Sequence, residues 1–136
     1  MTRRISVQTQ ADVIRARLAA RDLAIQLGLG PMDQTRIATA VSELGRNALQ
    51  YGGGGACIIR DESDERAVRI EIEVVDEGPG IADIEKAMRD GYSSNGGLSE
   101  GLPGSKRLAD AFDLESRTGE GTCVRIGFVR RRWSLR

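Results

Sequence analysis

Apolar residues alternate with polar ones in some stretches and recur at helical spacing in others. Arg4 to Thr9 sets Ile5 and Val7 against polar neighbours, which predicts a short strand with one buried face. Val13, Ile14, Ala16, Leu18, Leu23 and Leu27 then recur at helical spacing, with Asp12 as the expected cap and Gly28 as the stop. Beyond the turn Gly28-Leu29-Gly30-Pro31, Asp33 is the expected N-cap of a second helix. Ile37, Val41, Leu44, Ala48 and Tyr51 mark its buried face, and it ends in the glycines from Gly52 to Gly55.

The second half of the chain is strand-rich. Ala56 to Arg60 and Ala67 to Val75 read as two strands joined by the polar turn Asp61 to Glu65. In the longer of them Val68, Ile70, Ile72 and Val74 point inward, and the strand delivers Asp76 at its end. Residues 82–90 suggest a short helix. Tyr92 to Glu100 is rich in Gly and Ser and reads as a loop of the lid kind. Leu102 to Ala111 reads as a helix with Pro103 in its first turn, followed by strands Phe112 to Ser116 and Cys123 to Val129. So many hairpin-like links favour an α/β (α+β) sandwich, a mixed sheet with helices packed on one face, over a doubly wound parallel sheet. The 136 residues are expected to form one domain, with a frayed basic tail over 130–136.

Composition removes function classes more than it adds them. Acidic and basic residues balance at 20 each, so no bulk attraction to nucleic acid or to a membrane surface is expected. The absence of histidine excludes a phosphohistidine and a histidine base. No apolar run approaches the ~20 residues of a membrane span, and the first residues lack a signal-peptide core, so a cytoplasmic location is expected. Cys57 and Cys123, both in apolar strand runs, read as small buried residues rather than a disulfide.

Three segments could carry chemistry. Glu43 and Asn47 lie one helical turn apart, so a carboxylate and a carboxamide share a face. The amide oxygen suits Mg²⁺, and the carboxylate could take a proton from an attacking hydroxyl; alone, the pair reads as a solvated polar face. Asp76-Glu77-Gly78-Pro79-Gly80-Ile81 ends a buried strand in a carboxylate that needs a partner, and the amine edge of adenine would supply one. Gly78 and Gly80 would let a base lie close to the backbone; alone, the segment reads as a plain turn. Gly96 to Gly104 leads into a helix whose free amides could receive phosphate, and alone it is a flexible loop. Neither a P-loop nor a dinucleotide-binding fingerprint is present.

Taken in order, these segments resemble the GHKL ATP-binding superfamily of gyrase, Hsp90, histidine kinase and MutL type. Glu43 and Asn47 match its N box, and Asp76, Gly78 and Gly80 match its G1 box. Gly101 to Gly104 match its G2 region, and Gly121-Thr122 its last glycine–threonine pair. Ser42-Glu43-Leu44-x-Arg46-Asn47, Asp90-Gly91-Tyr92-Ser93, Gly101-Leu102-Pro103-Gly104-x-Lys106-Arg107-Leu108 and Gly119-Glu120-Gly121-Thr122 resemble in particular the RsbT-type serine/threonine switch kinases of the stressosome. The resemblance implies a histidine-kinase-like ATPase fold that binds ATP and Mg²⁺. It implies Glu43 as catalytic base and Asn47 as the Mg²⁺ ligand. Nucleotide would be held by Asn47, Asp76, Gly78, Gly80, Ile81, Gly97, Gly101, Leu102, Gly104 and Thr122. The implied partners are STAS-domain scaffold proteins, which would be phosphorylated, and a PP2C-type phosphatase, which would be activated. Two alternatives share the pocket: an anti-sigma kinase that sequesters a sigma factor, and an ATP-gated binding switch without transfer, suggested by Ser99 and Glu100 beside the phosphate region.

Overall fold

The computed structural model describes residues 1–80 and 104–132. Strand β1 (Thr2–Val7) leads into helix α1 (Gln10–Gln26) and helix α2 (Pro31–Gly52). Strands β2 (Gly55–Asp61), β3 (Ala67–Asp76), β4 (Ala111–Ser116) and β5 (Thr122–Arg131) follow. They form one sheet in the order β1-β2-β3-β5-β4, with the two helices on one face. All four pairings are antiparallel among the described residues, so the sheet expected to be mixed is antiparallel. The reason lies between β1 and β2. Two antiparallel helices, rather than one crossover helix, return the chain to the end of the sheet it left.

The helix starts differ from the expected caps by about one turn. Thr9, not Asp12, is the N-cap of α1. Asp12 stands at the third helical position and closes a capping box by accepting the Thr9 backbone N–H. Gly30 is the N-cap of α2 and Pro31 its first residue, while Asp33 sits in the first turn, where a negative charge suits the helix dipole. At the other end Gly53 adopts φ 72°, and the Gly54 amide donates to the Ala48 carbonyl at 2.9 Å, closing α2 beside the start of β2.

The core forms between the helices and one face of the sheet. Ile37, Val41 and Leu44 of α2 pack against Val68, Ile70, Ile72 and Val74 of β3 and Val124, Ile126 and Phe128 of β5. Tyr51, expected on the same helix face, is half-buried. Ile14 and Leu18 depart from expectation more sharply: both are exposed, and α1 buries Val13, Ala16, Ala19, Ala20, Leu23 and Ala24 instead. Small alanines let α1 lie close to its neighbours, which turns the two larger side chains outward.

The opposite sheet face is polar, as an antiparallel sheet allows. Arg125 bridges Glu73 at 2.8 Å and Glu71 at 3.2 Å, and Arg60 approaches Glu71 at 3.4 Å. Cys123 lies half-buried on that face rather than buried. Cys57 is buried in the core, where its thiol is pushed up to about 12 by burial, and neither cysteine is in a disulfide.

The tail expected to fray from residue 130 is paired further than that. Arg130 and Arg131 stand opposite Val68 and Ala67 in the β5–β3 ladder. The Arg130 guanidinium grips Asp33 through two bonds of 2.8 and 2.9 Å, which holds that carboxyl below its usual range. Arg36 completes the cluster. It bonds Asp33 at 2.9 Å and donates to the Leu108 carbonyl at 2.6 and 3.0 Å, at the end of the helical residues 104–108. The helix expected to reach Ala111 therefore stops earlier, and Ala111 opens β4.

Candidate nucleotide site

The candidate site forms where the C-terminal end of α2 meets the C-terminal end of β3. Asp76 is the last residue of β3 and pairs with Gly55 on one side and Thr122 on the other. Its Oδ1 accepts the Gly78 amide at 2.9 Å. Burial pushes the carboxyl above its ordinary range, against the opposing pull of the Gly78 and Thr122 backbone N–H groups. Ser116 Oγ lies 2.8 Å from Thr122 Oγ1 and donates to the Gly121 carbonyl at 2.9 Å. An open cleft of about 740 Å³ is lined here by Val75, Asp76, Ser116, Arg117, Gly121 and Thr122, among others.

The glycines around Asp76 are required by the fold itself. A Cβ at Gly78 would strike the Gly52 backbone, and one at Gly80 would strike the carbonyl of Arg117. Room for an approaching base is thus not what excludes side chains at these two positions. They bring the turn after β3 against α2 and against the β4–β5 turn, where the Gly119 amide also donates to the Pro79 carbonyl at 2.7 Å. Gly121 (φ 82°) faces the Asp76 carbonyl in the same way.

Gly52 is the residue that sequence reasoning missed. A Cβ there would fall on Cβ, Cγ and Oδ1 of Asp76, so the helix end directly sets where that carboxylate sits. Its only sequence signal is the run Gly52 to Gly55, which reads as a helix stop. Gly52→Ala is expected to destabilise the protein by about 1–3 kcal/mol through overpacking. Nucleotide affinity should fall with it, because the atoms in the way belong to Asp76. Wild-type melting temperature and affinity in this variant would disprove the contact.

Glu43 and Asn47 lie further back along α2. Glu43 is half-buried, and its Oε1 accepts from Arg46 at 2.8 Å. Asn47 Nδ2 is buried without a hydrogen-bond partner among the described residues. Such a group normally has a partner, so this carboxamide is suited to a ligand that is not protein. Its oxygen can face a Mg²⁺ ion and its N–H a phosphate oxygen. Among the described residues no group of three or more His, Cys, Asp or Glu converges on one point, so a metal here would complete its shell with water and phosphate. From Glu43 to Gly52 the helix rises about 13 Å, so the carboxylate of Asp76, beside Gly52, and that of Glu43 are separated by roughly that distance along the α2 axis. Gly104 begins the described helical residues 104–108, and no described residue lies within 4 Å of where its Cβ would be. Ile81, Gly97, Gly101 and Leu102, with the expected lid, lie outside the described residues.

Residues 7–128 match the Histidine kinase-like ATPase domain. The chain belongs to this family. Membership implies ATP binding, and it accords with the resemblance seen in the N-box, G1 and G2 segments. Among solved structures, the mycobacterial sensor histidine kinase MprB superposes with a TM-score of 0.58, covering 95% of this chain and 97% of that one. At 18% identity that likeness shows the shared fold alone. The serine/threonine-protein kinase RsbT of Bacillus subtilis (strain 168) is 48% identical over 118 residues, 87% of this chain and 89% of the relative. The anti-sigma F factor of Thermoanaerobacter sp. (strain X514) is 35% identical over 117 residues, 82% of this chain and 80% of the relative. This ATPase domain is therefore closely related to RsbT-type serine/threonine kinases, a relationship that supports kinase activity. No described helix is long and apolar enough to cross a membrane.

Proposed function

We propose that the chain is an ATP-dependent serine/threonine protein kinase that phosphorylates a STAS-domain protein and then activates a PP2C-type phosphatase in a sigma-factor pathway. The observation that carries this reading is the arrangement along α2. A buried-edge carboxylate, Asp76, stands at one end, the carboxamide of Asn47, whose Nδ2 has no partner among the described residues, lies between, and a second carboxylate, Glu43, stands at the other. The span of about 13 Å suits an extended nucleoside triphosphate with adenine at Asp76 and the γ-phosphate near Glu43. Asp76 accepts from the exocyclic amine of adenine. Glu43 takes the proton of the acceptor hydroxyl as its oxygen bonds to the γ-phosphorus, and the bond to the bridging oxygen breaks to release ADP. Mg²⁺, held by Asn47 and the phosphates, would neutralise charge on the transferring group. Positioning is most of what phosphoryl transfer asks of a protein, so a small domain suffices when the acceptor protein brings its own hydroxyl.

The higher identity to a serine/threonine kinase than to an anti-sigma F factor favours this order of readings. The second reading, a kinase that sequesters a sigma factor, draws on the similarity to anti-sigma F factors at 30–35% identity. One experiment separates them. Purified chain, radiolabelled ATP, Mg²⁺ and a STAS-domain protein from the same organism are expected to give a phosphoserine or phosphothreonine product. Affinity capture should then recover the phosphatase and not a sigma factor. Capture of a sigma factor without a phosphatase reverses the order, and absence of any transfer leaves an ATP-gated binding switch.

A further inference from the structure

We propose that Arg36 is a positioning residue for the nucleotide phosphates. From α2 it holds the helical residues 104–108, and with them Gly104, against the helix edge that carries Glu43 and Asn47. The inference rests on the nucleotide reading above and adds a residue that the sequence motifs leave out. At 100° per residue Arg36, Glu43 and Asn47 fall within about 40° of one another around α2, so they share one edge. They are spread along about 17 Å of it. What Arg36 grips therefore lies on the side of α2 where transfer is proposed.

The grip is a fork. Nε and Nη2 of Arg36 both donate to the Leu108 carbonyl, at 3.0 and 2.6 Å. That carbonyl stands at the end of the helical residues 104–108, where a helix leaves acceptors without partners of its own. Nη1 donates to Asp33 at 2.9 Å, and Arg130 holds the same carboxylate at 2.8 and 2.9 Å. The guanidinium also lies over the Phe128 ring, 5.6 Å from its centroid. Asp110 extends the hold to β5. Its N–H donates to the Gly127 carbonyl at 2.9 Å, its Oδ2 accepts the Val129 N–H at 2.9 Å, and its Oδ1 is 3.4 Å from Arg36 Nη2.

So short a helical stretch is marginal by itself and takes its place from whatever holds it. Ser105 is fully buried and Leu108 packs on the core, which sets the depth of the stretch. Apolar contact has no direction, so it leaves the tilt open. The fork on the Leu108 carbonyl sets the tilt. Gly104 is one turn, about 6 Å, from that carbonyl, so a change of angle at Leu108 is passed to the residue assigned to nucleotide. Only a guanidinium can serve the carbonyl and Asp33 at once, because its donors are fixed in one plane, whereas a lysine ammonium is a single point.

The test is calorimetry on the whole chain with ATP and with AMP, each in the presence of Mg²⁺. Arg36→Lys keeps the charge and removes the fork. It is expected to weaken ATP binding about tenfold, the scale of one hydrogen bond to a charged group, while AMP stays within about twofold of wild type. Asp33→Asn gives a readout of opposite sign to simple charge. Removing a negative charge would by itself favour ATP, yet loosening Arg36 should weaken ATP about threefold and leave AMP unchanged. The melting temperature should fall in both variants, and the ratio of ATP to AMP affinity does not follow that fall while the protein stays folded. A wild-type ratio in Arg36→Lys, or equal losses of ATP and AMP, makes Arg36 structural only. Either result overturns the proposal and leaves the nucleotide reading standing. Should Arg36→Lys not fold, Asp33→Asn decides, and tighter ATP binding or an unchanged ratio there overturns the proposal. If the wild type binds no ATP, the nucleotide reading itself falls, and this inference falls with it.

Discussion

Asp76→Asn is expected to weaken ATP binding about 100-fold or more while leaving the fold intact. The carboxylate offers only acceptors to the amine edge of adenine, whereas a carboxamide can turn a donor towards that amine. Losing a charge-assisted hydrogen bond in a partly buried site costs roughly 1.5–3 kcal/mol, and a misplaced donor adds to it. The amide oxygen of Asn can still accept the Gly78 N–H, so the turn after β3 keeps its anchor. Calorimetry with ATP and with ADP measures the effect, and unchanged affinity removes Asp76 from the site.

The same residue predicts a pH dependence of definite sign. Burial raises the Asp76 carboxyl in the folded protein, so the native state holds that proton more tightly than the unfolded chain. Stability is therefore greatest, as far as this group is concerned, below its unfolded pKa. It declines as pH rises through the raised folded pKa and stays lower above it. Asp76→Asn carries no such charge, and its apo form at neutral pH should melt at the wild-type temperature or higher. Nucleotide affinity in the wild type runs the other way. It needs the ionised form, so it should fall on acidification at a pH above that of an ordinary aspartate. A melting temperature well below wild type would mean that the carboxylate supports the fold rather than the ligand.

Much of this arrangement was legible in the sequence, and the exceptions have physical reasons. The strand Val68-Ile70-Ile72-Val74 and the helix face Ile37-Val41-Leu44-Ala48 both bury the residues that their periodicity marks, because each element has one partner layer. Ile14 and Leu18 misled because hydrophobicity alone does not say which side of a helix the core chooses. On α1 the alanines decide it, by permitting closer packing. The caps at Asp12 and Asp33 were displaced because Thr9 and Gly30-Pro31 were available one turn earlier. The position of Asp76 at the end of β3 could be read from the alternation that precedes it. Gly52 could not, since its role is to leave space for a side chain 24 positions away, and one-dimensional spacing carries no trace of that. Arg130 was read as part of a loose tail, yet its partner Asp33 is 97 positions distant.

Glu43→Gln should leave ATP and Mg²⁺ binding close to wild type and lower transfer to the acceptor by roughly the 10²–10⁴ typical of losing a general base. The side chain stays the same size and can still accept from Arg46, so the helix surface is preserved and only the capacity to take a proton is removed. Asn47→Ala should behave differently. It removes a carboxamide whose Nδ2 has no partner among the described residues, so the hydrogen bonds described for the apo fold are kept. Mg²⁺-dependent nucleotide affinity and transfer should both fall, and the loss of affinity should shrink when nucleotide binding is measured without Mg²⁺. The two residues are one turn apart on α2, about 6 Å along its axis, which is close enough to serve one phosphate region and far enough to serve it in separate ways. Single-turnover transfer from preloaded ATP separates chemistry from binding, and titration with Mg²⁺ separates the metal from the nucleotide. Wild-type single-turnover rates in Glu43→Gln would end its assignment as base. An Asn47→Ala variant that loses affinity equally with and without Mg²⁺ would move Asn47 from the metal to the phosphates.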